Sequence, residues 1–224
     1  MLELLYSGFM EVSPILTHSI MNTRTLTAPK AVAEAREQLA PDSYPCRLVG
    51  FLYLGTQPSK NPKFPKDKIK FRFTFEFPTE LKEFKEGEGN KPYILSREFT
   101  LSMFKTWMLR PFVESMIGKT LSDQEADDFD VLSLVGQPYF ASVIENEKKY
   151  SDIQSVTKLP KSIVCPDQIN ETSIILLEDW DKEIDNLPQF LQDKIKASRE
   201  YVNLGKTSKP SIKEEEISIE DIPF

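Results

Sequence analysis

The sequence predicts a mainly β fold with flanking helices, and three observations carry that expectation. Residues 68–77 alternate apolar and polar without exception, strand-like runs lie on either side of them, and turn-forming residues separate the runs. Period two over ten residues puts one face in a core and the other in water, a pattern no helix produces.

From Tyr44 the chain reads as strand. In Cys46–Leu54, strict alternation puts Cys46, Leu48, Gly50, Leu52 and Leu54 on one face. Arg47, Val49, Phe51 and Tyr53 fall on the other. Gly50 marks a bend or bulge. The loop from Gly55 to Asp67 is rich in Pro and Lys and is kept extended by its prolines. The second strand places Ile69, Phe71, Phe73, Phe75 and Phe77 inward. Lys68, Lys70, Arg72, Thr74 and Glu76 point outward. A charged loop around Lys82–Asn90 precedes a third strand, Pro92–Leu101. Phe104–Ile117 reads as a helix with Pro111 starting or kinking a turn. Asp123–Asp130 reads as a solvated acidic loop or short helix before Val131–Val135. Two further strands, Tyr139–Glu145 and Tyr150–Val156, flank a tight turn at Asn146–Lys149.

Strand, strand, strand, helix, strand, strand is the element order of an OB-fold, a five-stranded partly open barrel that binds oligonucleotides. The barrel is expected over residues 44–160. Residues 1–43 form an N-terminal extension with a short helix around Ala31–Leu39, and Met21 is expected to be the true start, with 1–20 a mis-called one. Residues 161–204 are expected to hold an irregular stretch, the apolar run Ile174–Leu177 as a strand or docking segment, and a C-terminal helix. That helix carries Leu187, Phe190, Leu191, Ile195 and Val202 on one face and packs on the barrel. Residues 205–224 have the composition of a disordered acidic tail.

The composition is that of an ordinary soluble protein, 40% hydrophobic and 28% charged. The net charge of −7 is unevenly spread. Residues 44–110 carry 13 basic and 7 acidic side chains, whereas residues 111–224 carry 12 and 23. A polyanion responds to the local field rather than the total. With 2 Cys and 1 His, the chain cannot build a structural zinc site of four Cys/His ligands, and Cys–His or Ser–His catalysis would need His18, in the N-terminal extension, as its base. Cys46 and Cys165 read as free thiols in a reducing compartment, which here implies the cytoplasm. No apolar run reaches the ~18 residues of a membrane span. No cofactor is implied. Asp127, Asp128 and Asp130 raise a metal-dependent nuclease as an alternative, but no motif accompanies them and a solvated loop is the plainer reading.

Single-stranded nucleic acid is gripped by a positive groove along the phosphates and by rings that stack on bases. Six basic residues against one acid lie between Lys60 and Arg72. The candidate contacts are therefore Lys60, Lys63 and Lys66 on the loop and Lys68, Lys70 and Arg72 on strand two. Arg47, Phe51 and Tyr53 on strand one join them, with Tyr93, Arg97 and Phe99 on strand three. The phenylalanine row Phe71–Phe77 belongs to the core. The chain's last eleven residues hold five acids and end in Glu220-Asp221-Ile222-Pro223-Phe224. Phe224 offers a ring and a main-chain carboxylate on one residue, which an apolar pocket with a basic rim would capture.

This tip resembles the C-terminal tip of bacterial single-stranded-DNA-binding proteins. Cys46–Gln57, Ser96–Phe104, Phe129–Pro138, Tyr150–Pro160 and Leu187–Tyr201 resemble a phage-encoded replication family of such proteins. The resemblance implies an OB-fold and sequence-independent binding of single-stranded DNA in replication, recombination or repair. It also implies a tail that recruits partner enzymes, and no enzymatic step. Relatives often carry a more basic, Ser/Asn-containing run where this chain has Phe104–Leu109, a departure that puts DNA contacts there in question. The alternative is a protein-interaction module of a replication complex without DNA binding of its own. RNA as the ligand is open, since nothing in the sequence reads the 2′-hydroxyl.

Overall fold

A computed structural model describes residues 38–59, 62–63 and 65–207. The expected start at Met21, the Ala31–Leu39 helix apart from its last two residues, Lys60 and the acidic tail apart from residues 205–207, which are helical, lie outside these. Gln38 and Leu39 are not helical.

The fold is mainly β, an open sheet of six strands with a few short helices against it. β1 (Asp42–Gln57) pairs antiparallel with β2 (Lys68–Glu83), which pairs antiparallel with β3 (Asn90–Thr100). On its other edge the first half of β1 pairs with β4 (Pro138–Glu145), and β4 pairs with β5 (Ser151–Lys158). The path is β3-β2-β1-β4-β5. A sixth strand, β6 (Ser173–Ile175), runs parallel to β1 over Gly50–Leu52. Five strands are expected from the sequence, with this stretch either strand or docking segment. Three residues joined to a remote edge carry too little pattern to identify.

Of the inner row that the alternation predicts for β2, Phe71, Phe73, Phe75 and Phe77 are fully buried, whereas Ile69, next to the strand's start, is 38% exposed because the core does not reach that end. Their rings meet Phe51, Phe99 and Phe112 in edge and stacked contacts. β1 departs from the simple pattern. Register shifts between Leu48 and Gly50, and between Tyr53 and Gly55, each insert an extra residue. A bulge of this kind reverses the alternation beyond it. Phe51 and Tyr53, opposite Phe73 and Phe71, thus fall on the inner side with Leu48, while Leu52, opposite Arg72, turns outward.

α1 (Leu109–Ile117) packs against the inner face of the sheet with Leu109, Phe112, Val113 and Met116 and ends at Gly118, whose φ of +67° closes the C-terminus. The helix is shorter than expected because residues 104–108 form turns. The acidic stretch is α2 (Asp123–Asp127), started by a Ser122/Glu125 capping box.

Outward-facing Leu52 and Leu54 are covered by the C-terminal segment, which supplies Ile175, Trp180, Ile184, Leu191 and Ile195 to a second core. α3 (Trp180–Glu183) precedes the expected single helix, which is instead two, α4 (Gln189–Lys196) and α5 (Arg199–Thr207). The break between the last two falls at buried Ser198, whose Oγ accepts from the Tyr201 amide. Ser198 sits against Gly55, where a Cβ would meet its Cβ at 2.7 Å, and Gly55 holds a φ of +74°.

Two carboxylates fasten this segment to the sheet. Fully buried Glu76 accepts from the Ile169 amide (2.6 Å), the Asn170 amide (2.8 Å) and Asn170 Nδ2 (2.5 Å). Glu200 on α5 accepts from the Thr56 amide (2.7 Å), Thr56 Oγ1 (2.5 Å) and the Tyr53 hydroxyl (3.3 Å). Glu76→Gln keeps the shape and removes the charge from three donors. It should cost about 1.5–3 kcal/mol, with faster hydrogen exchange at Ile169 and Asn170 before the β2 core is affected.

Burial alone would raise the pKa of Glu200, but the Thr56 and Tyr53 donors outweigh it and hold it below the usual carboxylate value. A lowered folded pKa contributes stability above the unfolded value, and that stability is lost as pH falls through the folded one. Acidification below pH ~4 should therefore loosen α5. Trp180, packed between Tyr53 and Tyr201, is the reporter: in a Trp107→Phe background its emission should shift to the red before global unfolding.

Candidate nucleic-acid interface

Cross-strand pairing sets which side chains share the outer face of β2 and β3. Lys70 lies opposite Thr100, Arg72 opposite Glu98, and Thr74 opposite Ser96. With Lys68 these form a stretch of the sheet's outer face that the second core leaves uncovered.

Two adjoining grooves run over it. The first, about 200 Å³, is lined by Lys70, Glu98, Thr100 and the loop residues Trp107 and Met108. Lys68 Nζ stands 4.5 Å from the centre of the Trp107 ring, a cation–π contact. In the same loop Phe104 is 75% exposed. The second groove, about 330 Å³, has Thr74 and Ser96 on its floor, joined through their hydroxyls at 3.2 Å. One wall is the start of α4, where Phe190 is 55% exposed and the Arg72 guanidinium lies 5.6 Å from its ring. Arg72 and Glu98 stand between the grooves, and Lys194 of α4 reaches Glu98 at 2.6 Å. Burial draws the Arg72 pKa below its ordinary value while Glu98 opposes the shift.

Of the expected contacts, Lys68, Lys70 and Arg72 share this face, and Lys63 and Lys66 are exposed on the loop that leads into it. Lys60 lies outside the described residues. The others are placed elsewhere, each for a physical reason. Phe51 and Phe99 are 4% and 3% exposed within the phenylalanine core, so neither ring offers a face to a base. Tyr53 stacks on Trp180 and donates to Glu200, and burial followed by the Glu200 charge pushes its pKa up to about 12. Arg47 donates to Pro166 O (2.6 Å) and Gly136 O (3.3 Å) and pairs with Asp167 (3.1 Å), tying down the chain that crosses that end of β1. Arg97 shares a face with Phe99, but it is the inner one; its Nη1 donates to the carbonyls of Ile153 (2.6 Å) and Gln154 (2.9 Å) on β5. Tyr93 packs edge-on against Phe84. It lies opposite Phe77, nine residues along β2 from Lys68, or roughly 30 Å.

Sequence reasoning missed the rings that do flank the cationic row, Trp107 and Phe190, and the exposed Phe104 in the same loop as Trp107. Phe190 reads as one more apolar position of an amphipathic helix, and Trp107 as part of a helix that is in fact turns. The signal that could have found them was an excess of apolar residues, Met103, Phe104, Trp107 and Met108, in a short stretch that also holds Lys105.

Asp127 and Asp128 are exposed, and Asp130 accepts from the Leu132 amide as a cap. Among the described residues no three His, Cys, Asp or Glu side chains converge to hold a metal ion. No helix among them is long and apolar enough to cross a membrane. Cys46 and Cys165 are buried, unpaired thiols whose pKa values burial raises. No family model, curated protein or solved structure matches the chain.

Core rings and surface rings should separate in unfolding experiments. Phe99→Ala should cost about 3–5 kcal/mol, whereas Phe104→Ala should move stability by no more than ~0.5 kcal/mol, both read from urea midpoints.

Proposed function

We propose that the chain binds single-stranded DNA without regard to sequence and makes or breaks no bond. The observation that carries this reading is the row Lys68, Lys70 and Arg72 on an open sheet face, bordered by the rings of Trp107 and Phe190. Cations follow phosphates and rings take unpaired bases, each stack worth roughly 1–3 kcal/mol.

The barrel in this proposal is of the five-stranded, partly open OB type. Its support is the strand path together with β3 lying alongside β5, where Arg97 spans the gap with hydrogen bonds to two β5 carbonyls. In such folds the strand 2–3 face and the loop between strands 1 and 2 meet the oligonucleotide. That is where the basic row, Lys63 and Lys66 lie. In the same proposal the Asp221–Phe224 tip recruits replication and repair proteins in a cytoplasmic setting, as the resemblance implies.

The deciding experiment is a titration of the full chain with fluorescent oligo-dT, watching the emission of Trp107 in a Trp180→Phe background. Trp107 should be quenched on binding. Three phosphate contacts predict a log–log salt slope of roughly −2, and Lys70→Glu should weaken dT and mixed-sequence oligomers alike, by about tenfold. A protein that ignores oligo-dT at low salt, or that binds duplex as tightly, contradicts the proposal; the first result would favour the protein-interaction module instead.

A further inference from the structure

We infer that Arg72 and Lys194 form a phosphate subsite that Glu98 holds closed by occupying it as an internal anion. The inference rests on the single-stranded reading above and deepens it, by identifying what regulates passage along the groove.

Glu98 Oε1 is shared by both cations, at 3.6 Å from Arg72 Nη1 and 2.6 Å from Lys194 Nζ. All three side chains are half-buried, at 23%, 26% and 34% exposure for Arg72, Glu98 and Lys194, so the arrangement is screened less than a surface pair. The cations come from different elements, β2 and α4, and converge on one oxygen. A phosphate oxygen carries the same charge and accepts from the same two donors.

The position of the triad makes this consequential. The first groove runs from the Lys70–Thr100 pair to Glu98 and the second from the Thr74–Ser96 pair to Arg72, so the Arg72–Glu98 pair stands where the two come together. A strand that stacks on both Trp107 and Phe190 must lay its backbone across this pair. While Glu98 is in place, a phosphate there meets a carboxylate and finds both cations engaged. Moving Glu98 aside frees the two donors and joins the grooves.

The test compares wild type, Glu98→Gln and Glu98→Thr in the full chain, the second a good strand former that removes the carboxylate with a different shape. Glu83→Gln on the hairpin removes one negative charge elsewhere. Oligo-dT affinity at low salt should rise about tenfold in both Glu98 variants and change less than twofold in the Glu83 control. The salt slope should steepen by roughly 0.7 for each additional phosphate that the opened subsite neutralises. Lys194→Met should cost more affinity in the Glu98→Gln background than in wild type, because only there is the lysine released for phosphate. A wild type that binds oligo-dT while neither Glu98 variant binds more tightly, or a Glu83→Gln that tightens as much, overturns the gate and leaves the single-stranded reading standing. Silence from wild type and variants together overturns that reading as well.

Discussion

Strand β1 has to be buried on both faces, and most of the molecule's layout follows from how it manages that. A strand with one core needs one apolar row; β1 offers two, with Leu48 and Phe51 inward, Leu52 and Leu54 against the second core, and Tyr53 touching both. The bulges distribute these residues, and the C-terminal segment supplies the partner surface that the outward ones require. Because that segment arrives over irregular chain, apolar contact alone would leave it free to slide. Glu76 and Glu200 fix its register by accepting main-chain N–H groups at two separate points. A buried carboxylate survives only when its lone pairs are met, and here meeting them is what positions the segment.

That cover also defines the candidate site. Over β1 and at Glu76 the outer face of the sheet is occupied, whereas over the Lys68–Thr74 stretch of β2 and the part of β3 beside it the face is open, and α4 rises beside the opening as a wall. The same helix places Phe190 over Arg72 and Lys194 at Glu98. A flat cationic strand would be an ordinary solvated face. With one wall carrying Trp107 and the other Phe190, it becomes a channel in which charge and ring faces are met together.

The sequence is most readable where one residue's environment depends on near neighbours. The β2 alternation places its four phenylalanines in the core and its three cations outside, and the strand boundaries of β3, β4 and β5 fall within a few residues of the expected ones. What escapes is what distant chain decides. Gly50 flags a bulge, yet strict alternation runs straight through it and turns Phe51 the wrong way. Arg97 and Phe99 do share a face, but no local pattern says whether that face is inward when its residues mix charge and ring. Glu76 looks like one more outward polar residue because its partners lie at Ile169 and Asn170, over ninety positions away. The helix split at Ser198 follows from Gly55, a contact between remote parts of the chain.

The charge pattern bears on why a channel of this kind would favour one strand over two. Part of the positive charge in and beside the basic row is already answered from within: Glu98 engages Arg72 of the row and Lys194 of α4, and Asp67 engages Arg199 of α5. What remains on the sheet face, chiefly Lys68 and Lys70, is a modest field, weaker than the broad positive surface that holds duplex DNA by its two phosphate rows. A modest field suffices only if something else adds affinity, and rings standing at the groove's edges add it solely when bases are unpaired and can turn toward them. Duplex presents phosphates outward and hides its ring faces in the stack. Under the proposed reading, discrimination against duplex therefore comes less from groove width than from partial self-neutralisation of the cationic row, which leaves phosphate contact alone too weak to hold.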